Sequence, residues 1–248
     1  MTETRARWQA AQQYEAGYWL QQAQAISDGV IPQLDFYQWR SDQLVKQLTA
    51  LGHEDLTSGD AHVIEVGCGP VGVASCFPAS HRLLVDPLEP VYSANEILSK
   101  MRNPEADYRE GSGEALPAPD DHFDLVIIEN CIDHVQDMNA VMVELLRVVK
   151  PTGLIYLTVN NRSALGFWVH RFLSRTKIDP GHPHTFTPRR FRRMLERHGL
   201  RIEGWEVGSY KEALVEDIRS PGMKAKAKAL LGVSEYVVSA IASVDARV

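Results

Sequence analysis

The chain has 248 residues, of which 44% are hydrophobic and 23% are charged, a composition typical of a globular protein with a buried core. This length favours one large α/β domain with additions over two independent domains. The net charge of −6 argues against nucleic-acid binding, and no apolar run is long enough to cross a membrane. The start of the chain does not resemble a signal peptide, and the three cysteines lack metal-ligand spacing, so we expect a reduced, cytoplasmic setting.

Residues 1–52 are predicted to form a helical leader ahead of the main domain. Its two helices, over residues 5–27 and 36–51, are separated by Asp28–Gly29, which breaks the helical pattern. The leader is rich in aromatic residues, namely Trp8, Tyr14, Tyr18, Trp19 and Trp39. They either pin the leader to the core or form a lid over a substrate pocket, because Trp and Tyr combine a stacking face with a polar tip.

A glycine-rich turn follows the first predicted strand. The apolar run Val63–Val66 indicates a buried parallel strand, and Gly67-x-Gly69-x-x-Gly72 comes directly after it. Glycines allow a sharp turn and a close approach of the backbone to a ligand. The spacing alone also fits a dinucleotide-binding fingerprint, so it does not decide the ligand.

The segments after the turn alternate between helices and strands. We predict a short helix over residues 71–77, a strand over 81–86, a helix over 90–101 and a strand over 106–110. Asp86, at the end of the second strand, is an acid at the spacing from the glycines that suits hydrogen bonds to a ribose diol.

The fourth predicted strand, over residues 123–130, leads into a polar cluster formed by Glu129, Asn130, Asp133 and His134. A helix over 138–149 and a strand over 153–160 follow, which implies a parallel sheet covered on both faces. Two further strands are predicted over 201–207 and 235–244. Residues 53–248 would then form the main domain, with helical insertions near 161–186 and 209–233.

Taken in this order, the motifs resemble those of class I S-adenosylmethionine (SAM) dependent methyltransferases, most closely the small-molecule group that includes ubiquinone and sugar methyltransferases. The likeness covers about residues 61–207. It rests on the glycine turn with Glu65, Asp86, Gly111-Ser112-Gly113-Glu114-Ala115-Leu116-Pro117, Phe123-Asp124-Leu125-Val126, Ile132-Asp133-His134-Val135, Leu146-Arg147-Val148-Val149-Lys150-Pro151-x-Gly153 and His184-x-Phe186-Thr187. The resemblance implies a Rossmann-like α/β fold whose seven-stranded, mostly parallel sheet has the order 3-2-1-4-5-7-6, with the last strand antiparallel.

The resemblance also implies cofactor-binding roles for individual residues. Glu65 would steer the methionine ammonium, Gly67 and Gly69 would pass under the homocysteine part, and Asp86, followed by Pro87, would hold the ribose hydroxyls. Gly113 and Glu114 would border the adenine, and Asn130, followed by Cys131, would face the amino-acid part. Ser112-Gly113 stands where the family often has Asp then Ala, so the adenine amine would be read by Glu114 or by a backbone carbonyl.

Two rival functions remain open from the sequence. A nicotinamide-dependent oxidoreductase would account for the glycines and Asp86 but not for Glu65 or the later motifs. A non-catalytic module that binds SAM is the other alternative.

For methyl transfer to a hydroxyl, a proton acceptor is needed, and His134 is the first candidate. His182 and His184, in the loop Pro180-Gly181-His182-Pro183-His184, are second candidates. Glu129, Asp133 and His134 could alternatively bind Mg²⁺, which prefers hard oxygen ligands and would lower the pKa of a hydroxyl.

The acceptor is predicted to be a small molecule or oligosaccharide, with a bacterial saccharide or glycan precursor, as in methylmannose polysaccharide synthesis, as the preferred class. O- or C-methylation of a quinone or another aromatic natural product is the alternative. Five arginines between residues 189 and 197 either form a solvated helix face or bind an acidic substrate. A homodimer is possible, with the leader or the segment before the last strand as the contact.

Overall fold

The computed structural model describes residues 3–31, 34–57, 59–173 and 184–244. Within these ranges seven strands form one sheet in the order β3-β2-β1-β4-β5-β7-β6. The strands are β1 (His62–Val66), β2 (His81–Asp86), β3 (Asp107–Glu110), β4 (Phe123–Glu129), β5 (Val149–Arg162), β6 (Leu200–Val207) and β7 (Glu235–Val244). Strands β1 to β5 pair in parallel, and β7 runs antiparallel to both β5 and β6. The predicted fold class and strand order are confirmed.

The described helices are α1 (Glu3–Ser27), α2 (Phe36–Ala50), α3 (Glu89–Ser93), α4 (Glu96–Lys100), α5 (Met138–Val148), α6 (Ala164–Leu173), α7 (Pro188–Arg197), α8 (Tyr210–Arg219) and α9 (Met223–Leu230). Helices α1 and α2 make up the predicted leader. Helix α6 lies in the first predicted insertion, and α8 and α9 lie in the second.

Two predicted helices differ from the structure. The helix expected over residues 71–77 is only a 3₁₀ turn at Ala74–Cys76, because Gly72 has a φ of +86°, which no α-helix accommodates. The helix expected over 90–101 is divided into α3 and α4. The Asn95 side chain accepts hydrogen bonds from the backbone N–H groups of Ile97 and Leu98, at 3.0 and 3.1 Å, and so starts a new helix.

The core has a layer on each face of the sheet, because successive residues of a strand point to opposite faces. Ile64 of β1 packs into the layer that contains α5 and α7, whereas Val63 packs into the layer that contains Leu44 and Leu48 of α2. A third apolar cluster joins the leader to the glycine turn and to α3 and α4 through Trp19, Tyr37 and Tyr92. The leader is thereby fixed over the carboxyl edge of the sheet. In the described ranges, none of the helices has the length and apolar character needed to cross a membrane.

Candidate active site

A cavity of about 430 Å³ lies at the carboxyl ends of β1, β2 and β4, under the leader. Parallel strands end at a common edge, and α/β sheets bind ligands there. Its lining includes most of the residues predicted to hold the cofactor, together with the first catalytic candidate, His134, and one predicted metal ligand, Glu129: Glu65, Gly67, Gly69, Asp86, Pro87, Glu129, Asn130, Cys131 and His134. Glu65 and His134, which are 69 positions apart in the sequence, therefore border one space.

The glycine turn is held tightly at the floor of this cavity. Gly67 and Gly69 have φ values of +71° and +62°, which favour glycine. A Cβ atom on Gly67 would lie 2.1 Å from Cys131 Sγ, and one on Gly69 would lie 2.8 Å from the Tyr37 hydroxyl. Both the backbone conformation and the neighbouring side chains therefore exclude any residue larger than glycine.

Asp86 joins the second strand to the glycine turn. Its Oδ2 accepts a hydrogen bond from the backbone N–H of Gly69 at 2.9 Å, and its Oδ1 accepts one from that of Leu88 at 2.8 Å. Burial raises the pKa of Asp86 to about 6, although these two hydrogen bonds act in the opposite direction. A carboxylate offers about four acceptor positions, so two remain for a ligand's hydroxyl groups.

Glu65 is the most deeply buried carboxyl group of the cavity, with 1% of its surface exposed. Its Oε2 accepts a hydrogen bond from the backbone N–H of Ala74 at 2.7 Å. Burial raises the pKa of Glu65 to about 8. Together with Glu15, Asp86 and Glu129 it gives the lining four carboxyl groups against one guanidinium, that of Arg40. This lining fits a ligand with cationic groups, such as the sulfonium and ammonium of SAM.

The leader covers the cavity with aromatic side chains. Tyr14, Tyr18, Trp19, Phe36 and Tyr37 all line it. The rings of Trp19 and Phe36 are stacked with centroids 6.5 Å apart, and Trp19 Nε1 donates a hydrogen bond to Glu15 Oε1 at 2.8 Å. Trp19 belongs to both an apolar cluster and the cavity lining, so it helps to pin the leader to the core, and its role as a lid over a substrate stays a prediction.

Asn130 directly follows β4 and has the left-handed conformation, with a φ of +51°, which Asn tolerates better than most residues. Its backbone N–H donates to Thr158 Oγ1 at 2.9 Å, and its Oδ1 accepts from the backbone N–H of Asn160 at 3.1 Å. The chain then turns so that His134 reaches the cavity wall with its side chain 25% exposed. His134 Nε2 lies 3.8 Å from Oδ1 of the buried Asp133.

Residues 64–157 match the family model described as a methyltransferase domain. This segment is a methyltransferase domain. It contains the glycine turn, Glu65, Asp86, Asn130 and His134, and the predicted resemblance to class I SAM-dependent methyltransferases is confirmed.

Curated relatives support the same family. An uncharacterized methyltransferase of Schizosaccharomyces pombe is 34% identical over 104 residues, which cover 38% of this chain and 37% of that protein. The ubiquinone biosynthesis O-methyltransferase of Bartonella tribocorum is 25% identical over 152 residues, which cover 56% of this chain and 60% of that protein. The chain thus spans less than two thirds of the length of either relative.

Solved structures show the same fold. Phosphoethanolamine N-methyltransferase 2 of Haemonchus contortus, in complex with SAM, superposes with a TM-score of 0.58 at 16% identity, covering 82% of this chain and 52% of that chain. The [4+2]-cyclase SpnF superposes with a TM-score of 0.56 at 17% identity, covering 84% of this chain and 80% of that chain. Because one of the two is named a cyclase, the shared fold does not by itself fix the reaction.

The residues predicted as metal ligands do not fit a Mg²⁺ site. Glu129 forms an ion pair with Arg40, and Asp133 is buried outside the lining of the cavity. Among the residues that the structure describes, no group of three His, Cys, Asp or Glu side chains could hold a metal ion. We therefore derive no step of the reaction through a metal.

Several other predicted site residues lie away from the cavity. Glu114 Oε1 accepts hydrogen bonds from the backbone N–H groups of Gln136 and Asp137, at 2.8 and 3.1 Å, so its carboxylate is used at the start of α5. Gly113 packs between Val66 and Val141, and neither Gly113 nor Glu114 belongs to the cavity lining.

The second catalytic candidates also differ from His134 in their surroundings. His184 Nε2 lies 3.0 Å from the backbone carbonyl of Val135, and His184 lines a different cavity of about 500 Å³ beside α7. That cavity also contains Arg190, Arg193 and Arg197. His182 lies outside the described residues.

The sequence did not single out two leader residues that complete the site. Tyr37 approaches the glycine turn, and Arg40 approaches Glu129 from α2. Both belong to an amphipathic helix, where a tyrosine and an arginine are common. Only the position of α2 over the sheet edge shows that they face a ligand cavity.

Proposed function

We propose that this chain transfers a methyl group from SAM to a hydroxyl group of a small-molecule or oligosaccharide acceptor. The observation that carries the proposal is one cavity in which Glu65, the glycine turn, Asp86 and His134 share the lining. Asp86 would hold the ribose hydroxyls, Glu65 the ammonium group, and the glycines at 67 and 69 the closely approaching homocysteine part. SAM, when bound, supplies a methyl group on a cationic sulfonium, so the leaving group is a neutral thioether.

The protein's main contribution is the position of the acceptor and of one proton acceptor. Aromatic side chains of the leader line the cavity and would exclude water around a bound acceptor, which favours an in-line approach of the acceptor oxygen. His134 accepts the hydroxyl proton on a ring nitrogen as that oxygen gains the methyl group. Asp133 stabilises the resulting imidazolium through its nearby carboxylate, 3.8 Å away.

The preferred acceptor is a saccharide or glycan precursor, because the tyrosine and tryptophan faces beside carboxyl groups suit a ring that carries hydroxyls. A phenolic or quinol acceptor is the second candidate, favoured by the ubiquinone O-methyltransferase among the relatives. The formation of a homodimer and a location in the cytoplasm remain predictions.

The test is a labelled-methyl transfer screen over saccharides, quinols and phenols, followed by substitution of His134. We expect His134→Ala to lower kcat by about 10²- to 10⁴-fold, the usual contribution of a general base. Its affinity for S-adenosylhomocysteine should not change. His81→Ala is the matched control, because His81 lies at the opposite end of β2 and does not line the cavity.

Different results would refute different parts of the proposal. Unchanged turnover in His134→Ala would remove His134 from the mechanism. Absence of calorimetric heat with S-adenosylhomocysteine, together with a thermal shift on NADH, would favour the oxidoreductase. Binding of SAM without formation of S-adenosylhomocysteine during the screen would favour a non-catalytic binding module.

A further inference from the structure

A second, smaller cavity adjoins the cofactor cavity. It encloses about 200 Å³, and its lining shares Arg40 and Glu129 with that of the larger cavity. These two residues form an ion pair between α2 and the end of β4. The ion pair is therefore a common wall of the two spaces, and a ligand in the smaller cavity would lie beside the place where the methyl group is transferred.

Glu129 has an unused hydrogen-bonding position at this wall. Its side chain is only 7% exposed, and its Oε1 is paired with Arg40. Its Oε2 is buried and has no hydrogen-bond partner of good geometry among the residues that the structure describes, although the hydroxyls of Thr158 and Tyr156 lie close to the carboxylate. Burial raises the pKa of Glu129, although Arg40 and the nearby hydroxyl of Thr158 act to lower it. An unsatisfied buried carboxylate oxygen is costly, so a donor from a ligand would be stabilised there.

The rest of the smaller cavity combines hydrogen-bonding side chains with apolar surface, to which Trp39, Tyr156 and Val237 contribute. Gln47 Nε2 donates to Glu206 Oε2 at 2.9 Å, and Gln47 Oε1 accepts from the Ser239 hydroxyl at 3.4 Å, which fixes an amide on the wall. Trp39, which is 61% exposed, supplies an aromatic face. A sugar ring can stack on the indole while its hydroxyl groups reach the Glu129 carboxylate.

We propose that this smaller cavity is the acceptor subsite, that it takes a polyhydroxylated, saccharide-like ligand, and that Glu129 Oε2 accepts a hydrogen bond from one acceptor hydroxyl. A neighbouring hydroxyl of the same ring then reaches the cofactor cavity and His134. This inference rests on the proposed function, and it assigns to Glu129 a binding role for the acceptor in place of a metal-ligand role.

The experiment combines two substitutions in the full-length chain with the saccharide acceptor found in the methyl-transfer screen. Glu129→Gln keeps the side-chain shape but weakens the acceptor, and Trp39→Ala removes the stacking face from an exposed position that the fold does not need. Each should raise the KM for the saccharide about tenfold or more, with a smaller change in kcat. In Trp39→Ala, the Kd for S-adenosylhomocysteine should remain within twofold of that of the wild type, because Trp39 does not line the cofactor cavity. Glu216→Gln, on the exposed face of α8, is the matched control and should change neither constant.

Direct binding gives a second readout that does not need turnover. Protein loaded with S-adenosylhomocysteine is titrated with mono- to hexasaccharides and, separately, with hydroquinone. Saturable saccharide binding that Trp39→Ala abolishes supports the inference. Methyl transfer to phenols alone, or unchanged saccharide KM in both variants, overturns it while leaving the proposed methyl transfer intact. Failure to bind S-adenosylhomocysteine instead refutes the proposed function, and the inference with it.

Discussion

Burial of the Glu65 carboxyl group costs stability, and Glu65 is proposed to bind the ammonium group of the ligand, so Glu65→Gln should separate the two effects. The glutamine keeps the length of the side chain and can still accept the hydrogen bond from the Ala74 N–H, which measures 2.7 Å in the wild type. It carries no ionisable group. The wild-type carboxyl group is 1% exposed, and burial raises its pKa from 4.5 to about 8.

The magnitude follows from linkage between protonation and folding. The folded state retains a proton on Glu65 that the unfolded state releases above pH 4.5, so this group lowers the free energy of unfolding as the pH rises from 4.5 to about 8. One pKa unit corresponds to about 1.36 kcal/mol, which gives a loss on the order of 4 kcal/mol across this range. Ligand-free Glu65→Gln should therefore be more stable than the wild type at pH 8 and nearly equal to it at pH 4.5.

Chemical denaturation of both proteins without ligand, at several pH values between 4.5 and 8, measures the difference. Calorimetry with S-adenosylhomocysteine supplies the second half, because the variant lacks the carboxylate that would pair with the ligand's ammonium. We expect its affinity to fall at least tenfold, as for a lost charged hydrogen bond. Wild-type binding should strengthen as the pH rises towards 8. The reasoning is wrong if the difference in stability does not depend on pH, or if the variant is the less stable protein at pH 8.

Three further predictions test the site and the opposite end of the sheet. Gly67→Ala should destabilise the fold by roughly 1–3 kcal/mol and abolish S-adenosylhomocysteine binding, because Gly67 has a φ of +71° and an added Cβ would collide with Cys131. Gly17→Ala, in a helix with open space around it, is the control and should stabilise the protein slightly in urea denaturation. Burial, with His81 and His122 nearby, lowers the pKa of His62, so the unfolded state takes up a proton more readily than the folded state as the pH falls below about 6.5, and the free energy of unfolding decreases. His62→Phe should therefore lose less stability than the wild type between pH 7 and 5, and equal losses would contradict this. Methyl transfer should persist in EDTA, since Glu129 is paired with Arg40; a loss that Mg²⁺ restores would reinstate the metal.

The predictions that succeeded from the sequence concern features set within short segments. Neighbouring residues alone determine the turn that follows an apolar run with glycines at fixed spacing, and they also place an acid at the end of the next strand. The alternation of such runs with helical segments predicted a parallel sheet. The resemblance added the antiparallel last strand and the full strand order, and the structure has both.

The predictions that did not describe the structure concern side chains whose partners lie elsewhere in the chain. Glu114 was expected at the adenine, but backbone N–H groups at the start of α5 use its carboxylate. Glu129 was expected to bind a metal, but Arg40 from the leader lies beside it, 89 residues away in the sequence. No local pattern around either glutamate indicates these partners.

The sequence by itself determined the order of the elements, the glycine turn and the position of Asp86, because backbone conformation and hydrophobic periodicity are properties of neighbouring residues. Only the tertiary structure decided which polar groups share the cavity. The packing of α2 on the sheet brings Tyr37 and Arg40 to the strand ends, while His184 lines a separate cavity. Convergence of side chains depends on how whole elements pack, and the free energy of that packing comes from the buried core on both faces of the sheet.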